Sequence, residues 1–168
     1  VFLFEEIMEI ERKFLIDKLP DLPVLSHKTV YQGYLYTAPI ALRIRKTTDF
    51  ATGENKYILC VKSGGTLART EVETVLTAEQ FCELEALLDK PLIKKDYYTY
   101  EIDGGLILEC SVVDDGVFSY REVEFKDISQ AENWQPLEFL GRELTYMKGF
   151  TMAEYWQNRT LPNFYDIK

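Results

Sequence analysis

The residues best suited to chemistry in this sequence are charged and spaced two apart. In "MEIERKFLI" (8–16), Glu9, Glu11 and Lys13 alternate with Met8, Ile10, Arg12, Phe14 and Ile16. Side chains on a strand alternate faces, so one face would carry acid, acid, base and the other would be largely apolar. The pattern recurs along the chain. Arg43 and Arg45 share a face in "ALRIRK", Lys62 ends "YILCVK", and Arg69, Glu71 and Glu73 share a face in "ARTEVET". Lys95 lies in "PLIKKDYY", Glu109 in "LILEC", and Glu122 and Glu124 in "YREVEF". That gives six bases and seven acids on one set of faces. If the sheet closes with these faces inward, the wall of the tunnel carries both signs. A polyanion would satisfy the bases, and a divalent cation would satisfy the carboxylates. The other reading is a half-exposed antiparallel sheet whose charged side meets water.

The elements that must position these residues read mostly as strands. Period-two patterning marks strands near 7–17, 29–37, 40–48, 55–63, 67–76, 92–103, 105–114 and 118–127. "TAP", "TGEN", "SGG", "DGG" and "DDG" supply the turns between them. "TAEQFCELEALLDKP" reads as a helix with Thr77 and Gln80 as a capping box, an apolar stripe of Phe81, Leu84, Leu87 and Leu88, and Pro91 as the stop. The C-terminal third reads as short helices. Eight strands joined by short connections predict a mainly β fold, an antiparallel sheet closed into a barrel with flanking helices.

Bulk properties narrow the function. At 168 residues the chain fits one domain, 1–168. A formal net charge of −9 and a pI near 4.7 argue against nucleic-acid polymers and anionic membranes as partners. Cys60, Cys82 and Cys110 are widely spaced and are expected to be buried or inert thiols. His27 is the one histidine, expected in a turn or loop after Pro23, so a zinc site or Ser-His-Asp triad is disfavoured. "VFLFEEI" reads neither as a signal peptide nor as a membrane span. Met8 can serve as a true start, which would leave residues 1–7 as an upstream addition. A cytoplasmic location is the default expectation. The oligomeric state, a homodimer included, stays open.

Seven segments in order resemble one family. "EIERKF" (9–14) is similar to the ExExK signature of the CYTH domain, the triphosphate tunnel metalloenzymes. "QGYL", "LRIRK", "LCVKSGG", "RTEVE", "YREVEF" and "EFLGRELT" continue the match. The resemblance implies an eight-stranded barrel enclosing a triphosphate-binding tunnel. It implies that Lys13, Arg43, Arg45, Lys62, Arg69 and Lys95 grip phosphates. Glu9, Glu11, Glu122 and Glu124 would hold a metal, Mg2+ or Mn2+. Glu71, Glu73 and Glu109 would complete the lining, and Glu122, Glu124 and Lys95 would act on the reacting atoms. "QGYL" with "FLGRELT" is most similar to the inorganic triphosphatase branch.

The sequence departs from that pattern where Tyr97 replaces a common base, Ser111 replaces a common acid, and Met147 and Gly149 replace an acid and an arginine. The expected activity is metal-dependent hydrolysis of a phosphoanhydride bond in a small-molecule triphosphate or nucleotide. The departures motivate an alternative, a polyphosphate or nucleotide sensor without turnover. A class IV adenylate cyclase is a third reading, with Tyr31, Tyr34, Tyr36, Tyr97 and Tyr98 as candidates to stack on a base and core or rim packing as their ordinary role.

Overall fold

Alternating patterning becomes strand wherever the apolar alternate residues find something to pack against. The computed structural model describes residues 5–159, with side chains from residue 8 onward; the reading of residues 1–4 lies outside them. Eight strands form: β1 (Glu5–Leu15), β2 (Val24–Tyr36), β3 (Ala41–Asp49), β4 (Asn55–Lys62), β5 (Ala68–Val75), β6 (Ile93–Ile102), β7 (Leu106–Val113) and β8 (Phe118–Glu124). All pairings are antiparallel, and the sheet closes in the order β1-β5-β4-β3-β2-β6-β7-β8. Closure removes the sheet edges and creates an inside.

The outer apolar faces of β1, β6, β7 and β8 form the main core. Ile10, Phe14, Tyr100, Leu108, Cys110, Val123 and Phe125 are buried there. They pack beneath helix α2 (Ile128–Asn133) and Trp134. Trp134 meets Phe14 and Phe125 edge-on, at centroid distances of 6.1 and 5.4 Å. Burying one such side chain contributes about 1.5–3 kcal/mol. A second cluster sits at one end of the barrel. There Tyr34, Ile93, Val113 and Tyr120 pack against Met152, Tyr155 and Trp156 of helix α3 (Met152–Asn158).

Three local features differ from the sequence reading. β2 begins at Val24, and His27 lies within it rather than in a loop. Its ring stacks between Phe50 and Tyr98 at 4.7 and 4.3 Å, which makes extension of the strand favourable. Helix α1 (Ala78–Glu85) has the expected Thr77/Gln80 capping box and buries Phe81, but ends before Leu87, which is exposed. Cys82 on that helix is also exposed, whereas Cys60 and Cys110 are buried. Burial pushes their thiols up, to about 11 and about 12, so neither is a thiolate near neutral pH.

The C-terminal segment completes the barrel wall. β1 pairs with β5 only as far as Ile10 and with β8 from Glu11 to Leu15. Where β5 has parted from β1, residues 142–145 take its place. Leu15 donates to the Arg142 carbonyl at 2.8 Å and Leu144 donates to the Lys13 carbonyl at 2.7 Å. A Cβ at Gly141 would overlap the Leu15 carbonyl, so this close approach needs glycine. Arg12, on the outer face, clamps the segment through Glu143 at 2.6–2.8 Å and donates to the Ala131 and Trp134 carbonyls.

Candidate functional site

The inward faces of the strands enclose a cavity of about 450 Å3. All thirteen charged residues singled out in the sequence line it: Glu9, Glu11 and Lys13 from β1, Arg43 and Arg45 from β3, Lys62 from β4, Arg69, Glu71 and Glu73 from β5, Lys95 from β6, Glu109 from β7, and Glu122 and Glu124 from β8. The reading of these faces as solvent-facing is therefore wrong. Apolar packing outside forces the charged alternates inside, because a strand's side-chain period is two.

Strand order segregates the charge. β7, β8 and β1 are neighbours and bring Glu109, Glu122, Glu124, Glu9 and Glu11 together. Glu11 lies directly opposite Glu124 in the β1–β8 pair, and Glu109 lies opposite Glu122 in the β7–β8 pair. Burial, reinforced by Glu122, pushes Glu11 up to about 7. Burial and then Glu122 push Glu109 to about 7 as well. Glu122 itself goes the other way: against the cost of burial, Lys13 and Lys95 hold it at about 2. Lys13 Nζ lies 2.8 Å from Glu122 Oε1.

The bases nearest the acids are already engaged. Lys62 Nζ contacts both oxygens of Glu9 at 2.7 and 2.8 Å and Glu71 at 2.6 Å. Arg69 bonds Glu9 at 2.7 Å and also donates to Glu11. The opposite wall, β2 and β3, is different. Arg43 is 5% exposed, its Nε has no hydrogen-bond partner among the described residues, and its Nη2 stays 3.6 and 3.7 Å from Glu73 and Glu71. Arg45 Nε is likewise without a hydrogen-bond partner among the described residues. Lys95 is 5% exposed and donates to Tyr120 Oη at 3.1 Å. Its amine is held well below the ordinary lysine range by burial and then by Arg45. Buried donors without acceptors are costly; an anion would relieve Arg43 and Arg45 and would favour the charged form of Lys95.

Residues that the sequence reading did not single out also face the cavity: Lys28, Gln32, Lys56 and Tyr120. Their signal was parity. Lys28, Gln32 and Tyr34 share one face of β2, and Lys56 shares the face of Lys62. Of the tyrosines considered for stacking, Tyr34 and Tyr97 line the cavity, Tyr36 is exposed, and Tyr98 stacks on His27. Met147 lies at a small side cavity of about 60 Å3 with Glu11, Lys13 and Arg69, at the window closed by the C-terminal segment.

A closed antiparallel barrel of eight strands with fixed charges of both signs lining its interior defines a tunnel protein. Residues 8–147 match the CYTH domain model, and the chain belongs to that family. It is 31% identical over 146 residues, 84% of this chain and 92% of the other, to an inorganic triphosphatase of Nitrosomonas europaea. The crystal structure of an inorganic triphosphatase superposes with a TM-score of 0.62 at 28% identity, covering 92% of this chain and all of that one (100%). A Pyrococcus horikoshii protein of 21% identity shares the fold, with a TM-score of 0.55 over 74% of this chain and 82% of that one. Among the described residues no helix is long and apolar enough to cross a membrane.

Proposed function

We propose that this protein is a metal-dependent triphosphatase acting on inorganic triphosphate. The observation that carries the reading is the cavity itself: buried, unpartnered guanidinium nitrogens on one wall face a cluster of opposed carboxylates on the other. The named triphosphatase relative supports the choice of substrate.

A divalent cation fits the acidic wall. The donors are oxygens only, which suits Mg2+ or Mn2+. Glu11 and Glu109 are disfavoured as anions in the absence of a cation, first by burial and then by the neighbouring Glu122 carboxylate. Glu9, Glu11, Glu122 and Glu124 would hold the ion. When bound, it would supply positive charge to the phosphate oxygens.

The chain's own residues do the rest. Arg43, Arg45 and Lys95 receive phosphate oxygens directly. Lys13, Lys62 and Arg69 leave their carboxylates for phosphate, so binding is an exchange of partners. The opposite charges brought by substrate and cation offset the cost of breaking those pairs. Glu71 and Glu73 orient Arg43 and Lys62. The positive wall stabilises charge that develops on the leaving phosphate. Glu122, held at about 2, is a poor proton acceptor but a firm anchor; Glu124, raised by burial and by Glu9, accepts a proton from water more readily.

The test is phosphate release from inorganic triphosphate, pyrophosphate, ATP and thiamine triphosphate, with Mg2+, with Mn2+ and with chelator. Metal-dependent release from triphosphate above the other three is expected. Undiminished hydrolysis in excess chelator would remove the metal role.

A further inference from the structure

Gln32 is the one uncharged polar side chain that is fully buried (0% exposed) and faces the tunnel, among the described residues, with an amide oxygen lacking a partner. Its amide nitrogen donates to Tyr34 Oη at 3.1 Å. With the amide in that orientation, its oxygen has no hydrogen-bond partner among the described residues. Gln32 sits directly opposite Arg45 in the β2–β3 pair, and Tyr34 sits opposite Arg43. The backbone beneath it is fixed as well. A Cβ at Gly33 would overlap Leu88 and fall 2.9 Å from Leu92 Cδ2, so the strand is pressed against the outer layer. The subsite therefore combines guanidinium donors from Arg43 and Arg45 with one neutral acceptor.

Each bare phosphate oxygen is an acceptor, so a fully ionised triphosphate would satisfy the arginines and leave Gln32 with nothing. A terminal phosphoryl group differs from an internal one in this respect. Its second proton has a pKa of about 6, so P–O–H is the main form below about that pH and a minor one at neutrality. Internal phosphates in a chain or ring carry no such proton. We propose that Gln32 is a specificity-determining residue that reads the end of a phosphate chain: its Oε1 accepts the terminal P–O–H while Arg43 and Arg45 donate to the remaining oxygens. This deepens the triphosphatase reading and rests on it. The substrate class becomes linear chains with a free end, taken with one proton on the terminal group. The other groups facing this part of the tunnel are Lys95 of β6, Tyr120 and Glu122 of β8, and Lys13 of β1. The first two bond to each other, as do the last two; Glu122 is the charged acceptor here and is assigned to the cation, which leaves Gln32 as the neutral one.

The experiment compares linear triphosphate with cyclic trimetaphosphate, which has three phosphates and no end, by calorimetry with Mg2+ on the wild type and on Gln32→Leu. The wild type is expected to bind triphosphate at least 100-fold more tightly. Gln32→Leu should lose about tenfold in triphosphate affinity and leave trimetaphosphate unchanged. Equal wild-type affinity for the two anions overturns the inference without requiring any variant to fold. Loss of both ligands in equal measure in a folded Gln32→Leu also overturns it, as does intact triphosphate affinity with reduced turnover, which would make the amide a water-orienting group. Failure of the wild type to bind triphosphate at all would instead defeat the triphosphatase reading.

Discussion

Tyr97 and Ser111 lie directly opposite each other in the β6–β7 pair. The resemblance noted in the sequence implies a base at the first of these positions and an acid at the second. Seen separately, each replacement weakens the tunnel. As cross-strand partners they amount to one change, a charged pair exchanged for a neutral one. Net charge in the tunnel is preserved, and Tyr97 bonds to Glu109 instead. The sensor reading drew its support from these losses as independent defects, so their pairing favours the enzyme.

The pairing predicts coupled energetics. Ser111→Asp places a third carboxylate beside Glu109 and Glu122 in a site 1% exposed. It should destabilise the protein by roughly 3 kcal/mol, the order of an unpaired buried charge. Adding Tyr97→Arg should recover at least half of that loss. Urea denaturation of both single variants and the double variant measures the coupling. Additive effects would show that the two positions changed independently.

A second prediction concerns pH in the absence of metal. Glu11 and Glu109 rise from 4.5 to about 7 on folding. Between those values the folded state binds more protons than the unfolded state, so stability falls as pH rises from about 4.5 to about 7. Glu122 works in a separate window, losing its contribution as pH drops from 4.5 toward 2. A cation needs the carboxylates ionised and displaces their protons. The rise in Tm on adding Mg2+ should therefore be larger at pH 8 than at pH 5. Glu11→Gln should flatten the metal-free pH slope and shrink the Mg2+ effect. A Mg2+ shift independent of pH would argue against these carboxylates as ligands.

The fold was legible because strand periodicity is rigid. Once Ile10, Phe14, Leu108 and Val123 had to pack outward, Glu9, Lys13, Glu109 and Glu122 had no direction left but inward. Gln32 and Tyr120 escaped notice because neutral polar and aromatic side chains are common on both faces of a strand. The cross-strand meeting of Tyr97 with Ser111 depends on register, which single-strand patterning does not contain. His27 was misplaced for a related reason: its stacking partners Phe50 and Tyr98 are distant in sequence, and that contact draws five residues ahead of position 29 into β2.

Phosphate grip makes a third prediction. Lys13→Ala and Arg45→Ala each remove one positive group from the tunnel, but from different starting states. Lys13 must leave Glu122 to meet phosphate, whereas Arg45 Nε has no partner to leave. Both variants should lose roughly tenfold or more in triphosphate affinity, since about 1.4 kcal/mol is a tenfold change. Lys13→Ala should also destabilise the ligand-free protein by stranding Glu122, while Arg45→Ala should leave its Tm unchanged or higher. Calorimetry and thermal melts on the same samples separate these effects. Unchanged affinity in both variants would place the phosphates elsewhere.

The last prediction divides turnover from binding. Glu122 is buried, faces Glu109 across the β7–β8 pair and holds Lys13 at 2.8 Å. Glu122→Gln keeps the side chain's size and removes its charge. Binding of triphosphate has two opposing responses: Lys13 is freed for phosphate, and one anchor for the cation is lost. Affinity should consequently change by only a few fold. Turnover depends on the cation's place relative to the reacting phosphoryl group, so it should fall at least 100-fold, the signature of an interaction made mainly in the transition state. Glu124→Gln should lower turnover too, and its loss should be greatest where Glu124 would otherwise be ionised, above its raised pKa. Phosphate release and calorimetric affinity measured on one preparation of each variant decide the matter. If Glu122→Gln lowers affinity and turnover in parallel, the residue serves binding alone. If the wild type itself binds triphosphate with Mg2+ yet releases phosphate from none of the four substrates, the tunnel is a sensor and not a hydrolase.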